Sequence, residues 1–186
     1  MSAQSGADYT VITILEKSPG SKKLKIVYID RFKGMDYNIQ KERIIELAER
    51  YQITKALGDE NTFGKVFIYD LKAAGVPIDG FKFSSVNRSK DDIVKALRDQ
   101  FEKEGFIIPY SKDDFKTAST IRILLEELNQ FGIVFDMRSK TVKFEGLGKH
   151  DDMVLSLGLA NFIARHVTMG LFSAIKGVHR AANPFI

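Results

Sequence analysis

Segments with the patterns of β-strands and α-helices alternate along most of this 186-residue chain, and this alternation restricts the fold more than any other feature. Residues 10–15 and 24–32 are rich in β-branched residues and flank a Pro-Gly turn, so they predict two paired strands. From Asn38 to about Tyr51 the apolar residues recur at helical spacing, which predicts an amphipathic helix. Strand–helix units follow, and together these elements predict an α/β fold with a mixed sheet.

The remaining predicted elements continue this pattern. We predict strands at 53–57 and 78–83, helices at 63–74, 90–104 and 112–129, an extended segment at 106–109, a hairpin at 133–135 and 142–144, and a last helix at 150–166. The length suits a single domain, which we place at residues 1–168. Residues 169–186 are predicted to form a looser, weakly amphipathic tail that packs on the domain or contacts a partner.

Composition excludes several classes of protein. The chain has no cysteine, which rules out disulfide scaffolds, thiolate zinc sites and thiol nucleophiles. Its apolar runs are short and interrupted by charge, so we expect neither a membrane span nor a signal peptide. A formal net charge of +4 permits a nucleic-acid partner without requiring one.

At three places in the chain, acidic residues are set apart from those on helix surfaces. Asp8 precedes a predicted central strand, Asp59 and Glu60 end a strand before a glycine-bearing turn, and Asp151 and Asp152 begin the last helix. Turn stabilisation and helix capping also explain these residues. If the three positions converge at one sheet edge, however, their carboxylates would repel one another unless divalent cations lay between them. Oxygen ligands suit Mg²⁺ or Mn²⁺, and two such ions about 3.5–4 Å apart clamp a scissile phosphate in nucleases.

Several motifs follow one another in a characteristic order. They are the Gly-Ala-Asp-Tyr-Thr-Val segment at 6–11, Asp-Glu-Asn-Thr-Phe-Gly at 59–64, the Ser…Lys segment at 85–90, the Pro-ended segment at 105–109, Glu-Leu-Asn-Gln-Phe at 127–131, and Gly-Lys-His-Asp-Asp followed by an apolar helix at 148–160. In this order, from about residue 6 to 165, the chain resembles the C-terminal nuclease domain of the large terminase subunit of tailed viruses.

The resemblance implies an RNase H-like mixed β-sheet flanked by helices on both faces. It also implies that the last metal-binding carboxylate lies in the His150-Asp151-Asp152 motif, where His150 is a further candidate metal ligand; an ordinary loop histidine is the alternative. The second carboxylate falls at Asp59, with Glu60 as the alternate.

At its start the chain departs from the family pattern. The first catalytic aspartate of the family lies seven residues before the aspartate that corresponds to Asp8, and that position is Met1. The resemblance therefore implies that Asp8 has an accessory catalytic role. It also leads us to expect that this chain begins without the strand that carries the first metal ligand, so that its site is incomplete.

The resemblance also implies a substrate and partners. We expect double-stranded DNA as substrate, the portal and the small terminase subunit as partners of the full-length protein, a monomeric isolated domain, and a location in the host cell cytoplasm. Basic residues near the acidic edge are candidates for contacts with DNA phosphates, although solvated surface charge is the alternative for each. These residues are Lys90, Lys65, Arg88 and Lys149, and in addition Lys82 and Arg138.

The predicted function is that of a metal-dependent endonuclease domain that cleaves double-stranded DNA by two-metal hydrolysis with Mg²⁺ or Mn²⁺. Because the first metal ligand is expected to be missing, the alternative is that this chain by itself is inactive. No Gly-x-x-x-x-Gly-Lys-Ser/Thr motif occurs, so the ATPase that drives packaging is absent from this chain. Two alternatives remain open. One is another RNase H-like nuclease, such as a junction resolvase or an RNase H, and the other is a non-catalytic module that binds DNA or packaging partners.

Overall fold

The computed structural model describes residues 9–61, 64–83, 89–110, 114–136, 141–146, 150–166 and 170–176. Thirteen elements lie within these ranges. In chain order they are β1 (Thr10–Lys17), β2 (Leu24–Phe32), α1 (Tyr37–Arg50), β3 (Lys55–Asp59), α2 (Gly64–Ala73), β4 (Ile78–Phe81), α3 (Ser89–Glu102), β5 (Phe106–Ile107), α4 (Phe115–Gln130), β6 (Phe131–Asp136), β7 (Thr141–Gly146), α5 (Asp152–Ala164) and β8 (Gly170–Lys176).

Six of the strands form one mixed sheet in the order β4-β3-β8-β1-β2-β5. Strand β1 is antiparallel to both β2 and β8, whereas β3 is parallel to both β4 and β8. Strands β6 and β7 form a separate antiparallel hairpin. This arrangement confirms the predicted α/β class and the mixed sheet.

Helices cover both faces of the sheet because its central strand β1 is apolar on both sides. Val11 and Leu15 pack into a cluster with residues of α3, α4 and α5. Ile12 and Ile14 pack into a second cluster with residues of α1 and α2. Side chains alternate across a strand, so burial of every residue from Thr10 to Leu15 is what a strand covered on both faces shows.

The C-terminal segment differs from the sequence-based expectation. Residues 170–176 are not a loose tail, because they form β8 in the middle of the sheet, between β1 and β3. Ala174 is fully buried, and its carbonyl oxygen accepts a hydrogen bond from the hydroxyl of Ser156 at 3.3 Å. A strand inside a sheet has no helical period, so the segment shows only a weakly amphipathic pattern when it is read as a helix.

Helix α5 is buried along almost its whole length and packs closely on α3. At Gly158 an added Cβ would lie 2.6 Å from the Cγ2 atom of Ile93. A glycine is therefore needed for these two helices to approach each other. Among the described residues, no helix combines the length and the apolar character that crossing a membrane requires.

This close approach yields a stability prediction. Replacing Gly158 by alanine adds a methyl group where no space exists, and overpacking of this kind costs about 1–3 kcal/mol. The gain in helix propensity, about 1 kcal/mol, does not offset it. We expect Gly158→Ala to lower the free energy of unfolding measured in urea. In an Ile93→Ala background, where Cγ2 is absent, the same substitution should cost less; an equal cost in both backgrounds would contradict this explanation.

Candidate metal centre

The sheet brings the predicted acidic residues to one edge. Strands β3 and β8 are parallel and end together, and Lys176 at the end of β8 pairs with Val11 near the start of β1. Asp59 therefore ends β3 at the same edge at which β1 begins. Strands β3 and β1 are separated only by β8, so their backbones lie about 9–10 Å apart at this edge.

Asp152 begins α5 at this edge and is held against the start of β1. Its carboxylate Oδ2 accepts a hydrogen bond from the backbone N–H of Tyr9 at 3.2 Å, and the residue is 5% exposed. The Nδ1 atom of His150 lies 4.0 Å from the same oxygen. The His150 ring packs edge-on against the Tyr9 ring, with 5.1 Å between the ring centroids. Two of the predicted metal ligands are thus neighbours.

Asp151 has different surroundings from Asp152. Its Oδ2 atom lies 3.0 Å from the Nζ atom of Lys90, so the two residues form a partly buried ion pair. Asp151 occupies the N-cap position of α5, but its side chain makes no capping hydrogen bond to the helix. Lys90, predicted to contact DNA, balances the charge of Asp151 in this structure.

The geometry also distinguishes Asp59 from Glu60. Leu57 packs with residues of α3 and α5, whereas a Cβ at Gly58 would contact Ile68 of α2. Because side chains alternate along a strand, Asp59 lies on the same face as Leu57, the face that α5 covers. The Glu60 carboxylate instead lies over Gly80 of β4, where a Cβ would be 2.5 Å from its Oε2 atom.

Asp59 also has the turn role that the sequence allowed. Its Oδ1 atom accepts a hydrogen bond from the backbone N–H of Asn61 at 3.0 Å. This bond stabilises the turn between β3 and α2 and orients the carboxylate at the edge. Gly64, at the start of α2, lies close to the end of β3, because a Cβ at this position would clash with the carbonyl oxygen of Asp59.

The donor chemistry at this edge suits a divalent cation. Asp59 and Asp152 supply carboxylate oxygens, and the buried Nδ1 atom of His150 makes no hydrogen bond within the described part of the chain. In the ranges that the structure describes, however, no three acidic or histidine side chains are grouped closely enough to hold one ion. The reason is the strand order: β8 lies between β3, which carries Asp59, and the start of β1, against which Asp152 and His150 are held.

Other predicted site residues divide into two groups. Lys65, in the first turn of α2, and Lys82, just after β4, are exposed near the end of β3. The other residues predicted to belong to the site or to contact DNA fall outside the ranges that the structure describes. They are Asp8, Arg88, Arg138 and Lys149.

A buried carboxylate that the sequence analysis did not assign to the site lies directly behind Asp152. Glu127 on α4 is 7% exposed, and its Oε2 atom accepts a hydrogen bond from the backbone N–H of Met153 at 2.9 Å. Its Oε1 atom lies 3.5 Å from Nη1 of Arg31. Burial raises the pKa of Glu127 above its ordinary value, while the Met153 hydrogen bond and the charge of Arg31 act in the opposite direction.

The sequence carried a signal for this residue. Ile121 and Leu124 lie on the buried face of α4, and Glu127 continues that stripe at the helical spacing of three residues. A charged residue in a buried helical stripe requires a partner from another element. Here the partners are Arg31 of β2 and the first turn of α5.

Comparisons with known proteins agree with this fold. Three crystal structures of the large terminase nuclease from thermophilic phage G20c share the fold. The magnesium-bound form has a TM-score of 0.67 and 23% identity, over 86% of this chain and 78% of that chain. The cobalt-bound form has a TM-score of 0.68 and 24% identity, over 86% and 77%. The zinc-bound form has a TM-score of 0.58 and 23% identity, over 85% and 75%.

A search of curated protein sequences gave no significant match. The family model described as the terminase RNaseH-like domain matches residues 1–161 of the 186 in this chain. That range includes β1 to β7 and most of α5, and with it every acidic residue of the candidate metal centre. The chain therefore belongs to the terminase RNaseH-like domain family.

Proposed function

We propose that this chain is the nuclease domain of a DNA-packaging terminase large subunit, and that it hydrolyses phosphodiester bonds of double-stranded DNA with bound Mg²⁺ or Mn²⁺. The observation that carries the proposal is the position of Asp152, a buried carboxylate at the same sheet edge as Asp59, in a chain of the terminase RNaseH-like domain family. The metal-bound forms of the phage G20c nuclease support the use of a divalent cation.

In this proposal Asp59 and Asp152 are the principal ligands of a two-metal site, and His150 is a further ligand. A bound cation would lower the pKa of a coordinated water and polarise the scissile phosphate. The Tyr9 N–H orients the Asp152 carboxylate, and the Asn61 N–H orients that of Asp59. Asp151, paired with Lys90, and Glu60 are the alternate ligands within the two acidic pairs, and Asp8 has an accessory role.

The substrate contacts and partners also remain proposals. Lys65 and Lys82 are exposed beside the end of β3, where DNA phosphates would pass, and Lys90, Arg88 and Lys149 complete the proposed DNA-binding set. The domain is proposed to be monomeric in isolation. In the full-length subunit it would act with the portal and the small terminase subunit in the cytoplasm of the host cell.

Cleavage of plasmid DNA tests the proposed activity. The chain is incubated with supercoiled plasmid, with linear duplex, with a branched junction and with an RNA–DNA hybrid, each with Mn²⁺, with Mg²⁺ or with EDTA. We expect Mn²⁺- and Mg²⁺-dependent cutting of plasmid and linear duplex. Faster cutting of the junction or of the hybrid would favour another RNase H-like nuclease. DNA binding without metal-dependent cutting, and without a Mn²⁺-dependent rise in melting temperature, would favour a non-catalytic module.

The exposed lysine next to Asp59 allows a test of DNA contact. Lys65→Gln is expected to weaken DNA affinity at 50 mM salt and to reduce the slope of log K against log salt by about 0.9, since one phosphate contact is lost. Lys72→Gln is the matched control, because Lys72 lies at the opposite end of the same helix and pairs with Asp79. Fluorescence anisotropy with duplex DNA measures both. An unchanged slope for Lys65→Gln would remove Lys65 from the DNA-binding set.

A further inference from the structure

The first turn of α5, which carries Asp152, is not capped by its own N-cap residue. The first N–H groups of a helix have no partners within the helix. Asp151 occupies the N-cap position, yet its side chain makes no capping bond. The N–H of Met153 donates instead to the Oε2 atom of Glu127 at 2.9 Å. The cap therefore comes from a different helix, 26 residues earlier in the chain.

The same carboxylate is linked to Asp152 by a second route. Arg31 lies 3.5 Å from Glu127, and its guanidinium stacks over the Tyr9 ring at 3.5 Å from the centroid. The backbone N–H of Tyr9 in turn donates to Asp152 at 3.2 Å. Tyr9, Arg31 and Glu127, which we term the α5 brace, thus form a closed ring of contacts with Asp152 and the first turn of α5.

Stability alone does not explain the α5 brace. The helix is already held by apolar packing, since Met153 and Leu157 are fully buried. Within the described residues, the Oε1 atom of Glu127 and the Nε atom of Arg31 are buried and make no hydrogen bond. A buried ion pair with unsatisfied atoms contributes little net stability compared with apolar residues of the same volume. What Glu127 does supply is direction, because the hydrogen bond that its Oε2 atom accepts from Met153 N–H forms in one geometry only.

We propose that Glu127 is a positioning residue for the candidate metal centre, which it serves by holding the first turn of α5 so that the Asp152 carboxylate faces the end of β3. The inference rests on the proposed function, since it assigns Asp152 to metal binding. Asp59 belongs to a strand and Asp152 to a helix, so a cation shared between them requires the helix start to stay in place. Glu127 itself binds neither the metal nor the DNA.

Two substitutions of Glu127 and two controls test this role. Glu127→Ala removes the acceptor, whereas Glu127→Gln keeps an oxygen that can accept from Met153 N–H. Glu126→Ala removes the exposed neighbouring carboxylate. Ser156→Ala removes a buried hydroxyl from α5, one turn beyond Asp152. This hydroxyl is hydrogen-bonded to the hydroxyl of Thr13 in β1 at 2.9 Å. The measurements are Mn²⁺ affinity by calorimetric titration, melting temperature, and kcat and KM for Mn²⁺-dependent plasmid cleavage.

We expect Glu127→Ala to weaken Mn²⁺ binding by about 10–100-fold, the range typical of residues that orient metal ligands. Glu127→Gln should weaken Mn²⁺ binding less than Glu127→Ala does. The kcat for plasmid cleavage should fall more in Glu127→Ala than in Glu127→Gln, while KM for DNA stays unchanged in both. Ser156→Ala should lower the melting temperature but leave Mn²⁺ affinity unchanged. Glu126→Ala should change neither quantity.

The outcomes separate the inference from the proposed function. If Glu127→Ala melts at a lower temperature but binds Mn²⁺ as the wild type does, Glu127 is only structural and the inference is wrong. If Glu127→Ala does not fold, the same comparison is made with Glu127→Gln: a lower melting temperature with the Mn²⁺ affinity of the wild type would again contradict the inference. A wild-type chain that neither binds Mn²⁺ nor cuts DNA would overturn the proposed function, and the inference with it.

Discussion

Ending the chain after His166 is expected to abolish cooperative folding. The truncation removes β8, which pairs with β1 along seven residues and with β3 along four. Without β8, these two strands have no common neighbour, so the sheet splits into two parts. The fully buried Ala174 and its hydrogen bond to Ser156 are lost as well. The lost pairing and burial should exceed the roughly 5–15 kcal/mol of stability that a domain has in total.

Circular dichroism during thermal and urea unfolding measures this effect. A chain ending after Lys176 is the matched control, because it keeps every described element and should retain a cooperative transition. Ala174→Asp provides an independent test in the full chain, since it places a carboxylate in a fully buried position. If the chain that ends after His166 unfolds with the same midpoint as the control, β8 is dispensable and its central position has no energetic importance.

Replacing Asp152 by asparagine is expected to abolish metal-dependent DNA cleavage, with a loss of more than about 100-fold in kcat/KM. The substitution keeps the size of the side chain and an oxygen that can accept from Tyr9 N–H, but it removes the negative charge that holds a cation. The Asp152 carboxylate is buried and lies 4.0 Å from the Nδ1 atom of His150, so no exposed carboxylate of the described residues stands ready to take its place.

One neighbouring and one distant acidic residue provide the controls for this experiment. Asp151→Asn should have a smaller effect than Asp152→Asn, because Asp151 is paired with Lys90. Glu46→Gln, on the exposed side of α1 across the sheet, should leave cleavage unchanged. Plasmid cleavage rates and Mn²⁺-dependent melting temperatures measure all three variants. Equal cutting by the wild type and Asp152→Asn would show that a contaminating nuclease produced the activity.

Most helices and strands could be predicted because their patterns are local. Helices α1, α2, α3 and α5 each carry an apolar stripe or an apolar run bounded by turn residues, and the strands β1 and β2 are β-branched runs around a turn. The family resemblance added the RNase H-like arrangement of these elements, which the match of the terminase RNaseH-like domain model confirms. Strand β8 was missed because its stability comes from β1, about 160 residues earlier in the chain, and from β3.

The candidate site could be predicted only in outline. The sequence named two adjacent acidic pairs but could not choose within either, because neighbouring residues have the same local signals. The alternation of faces along β3 favours Asp59, and burial against Tyr9 favours Asp152, while Lys90 neutralises Asp151. The role of Asp59 and Asp152 as metal ligands stays a prediction until the variants are measured.

The sequence by itself determined the class of fold, the family and the short list of acidic residues, because each of these depends on local periodicity or on the order of motifs. Only the tertiary structure decided which residues are neighbours across the sheet. It placed β8 between Asp59 and the start of β1, joined Glu127 to the first turn of α5, and paired Lys90 with Asp151. These contacts join residues 26 to about 160 positions apart, and hydrogen bonds and charges act over a few ångströms in space, whatever the separation along the chain.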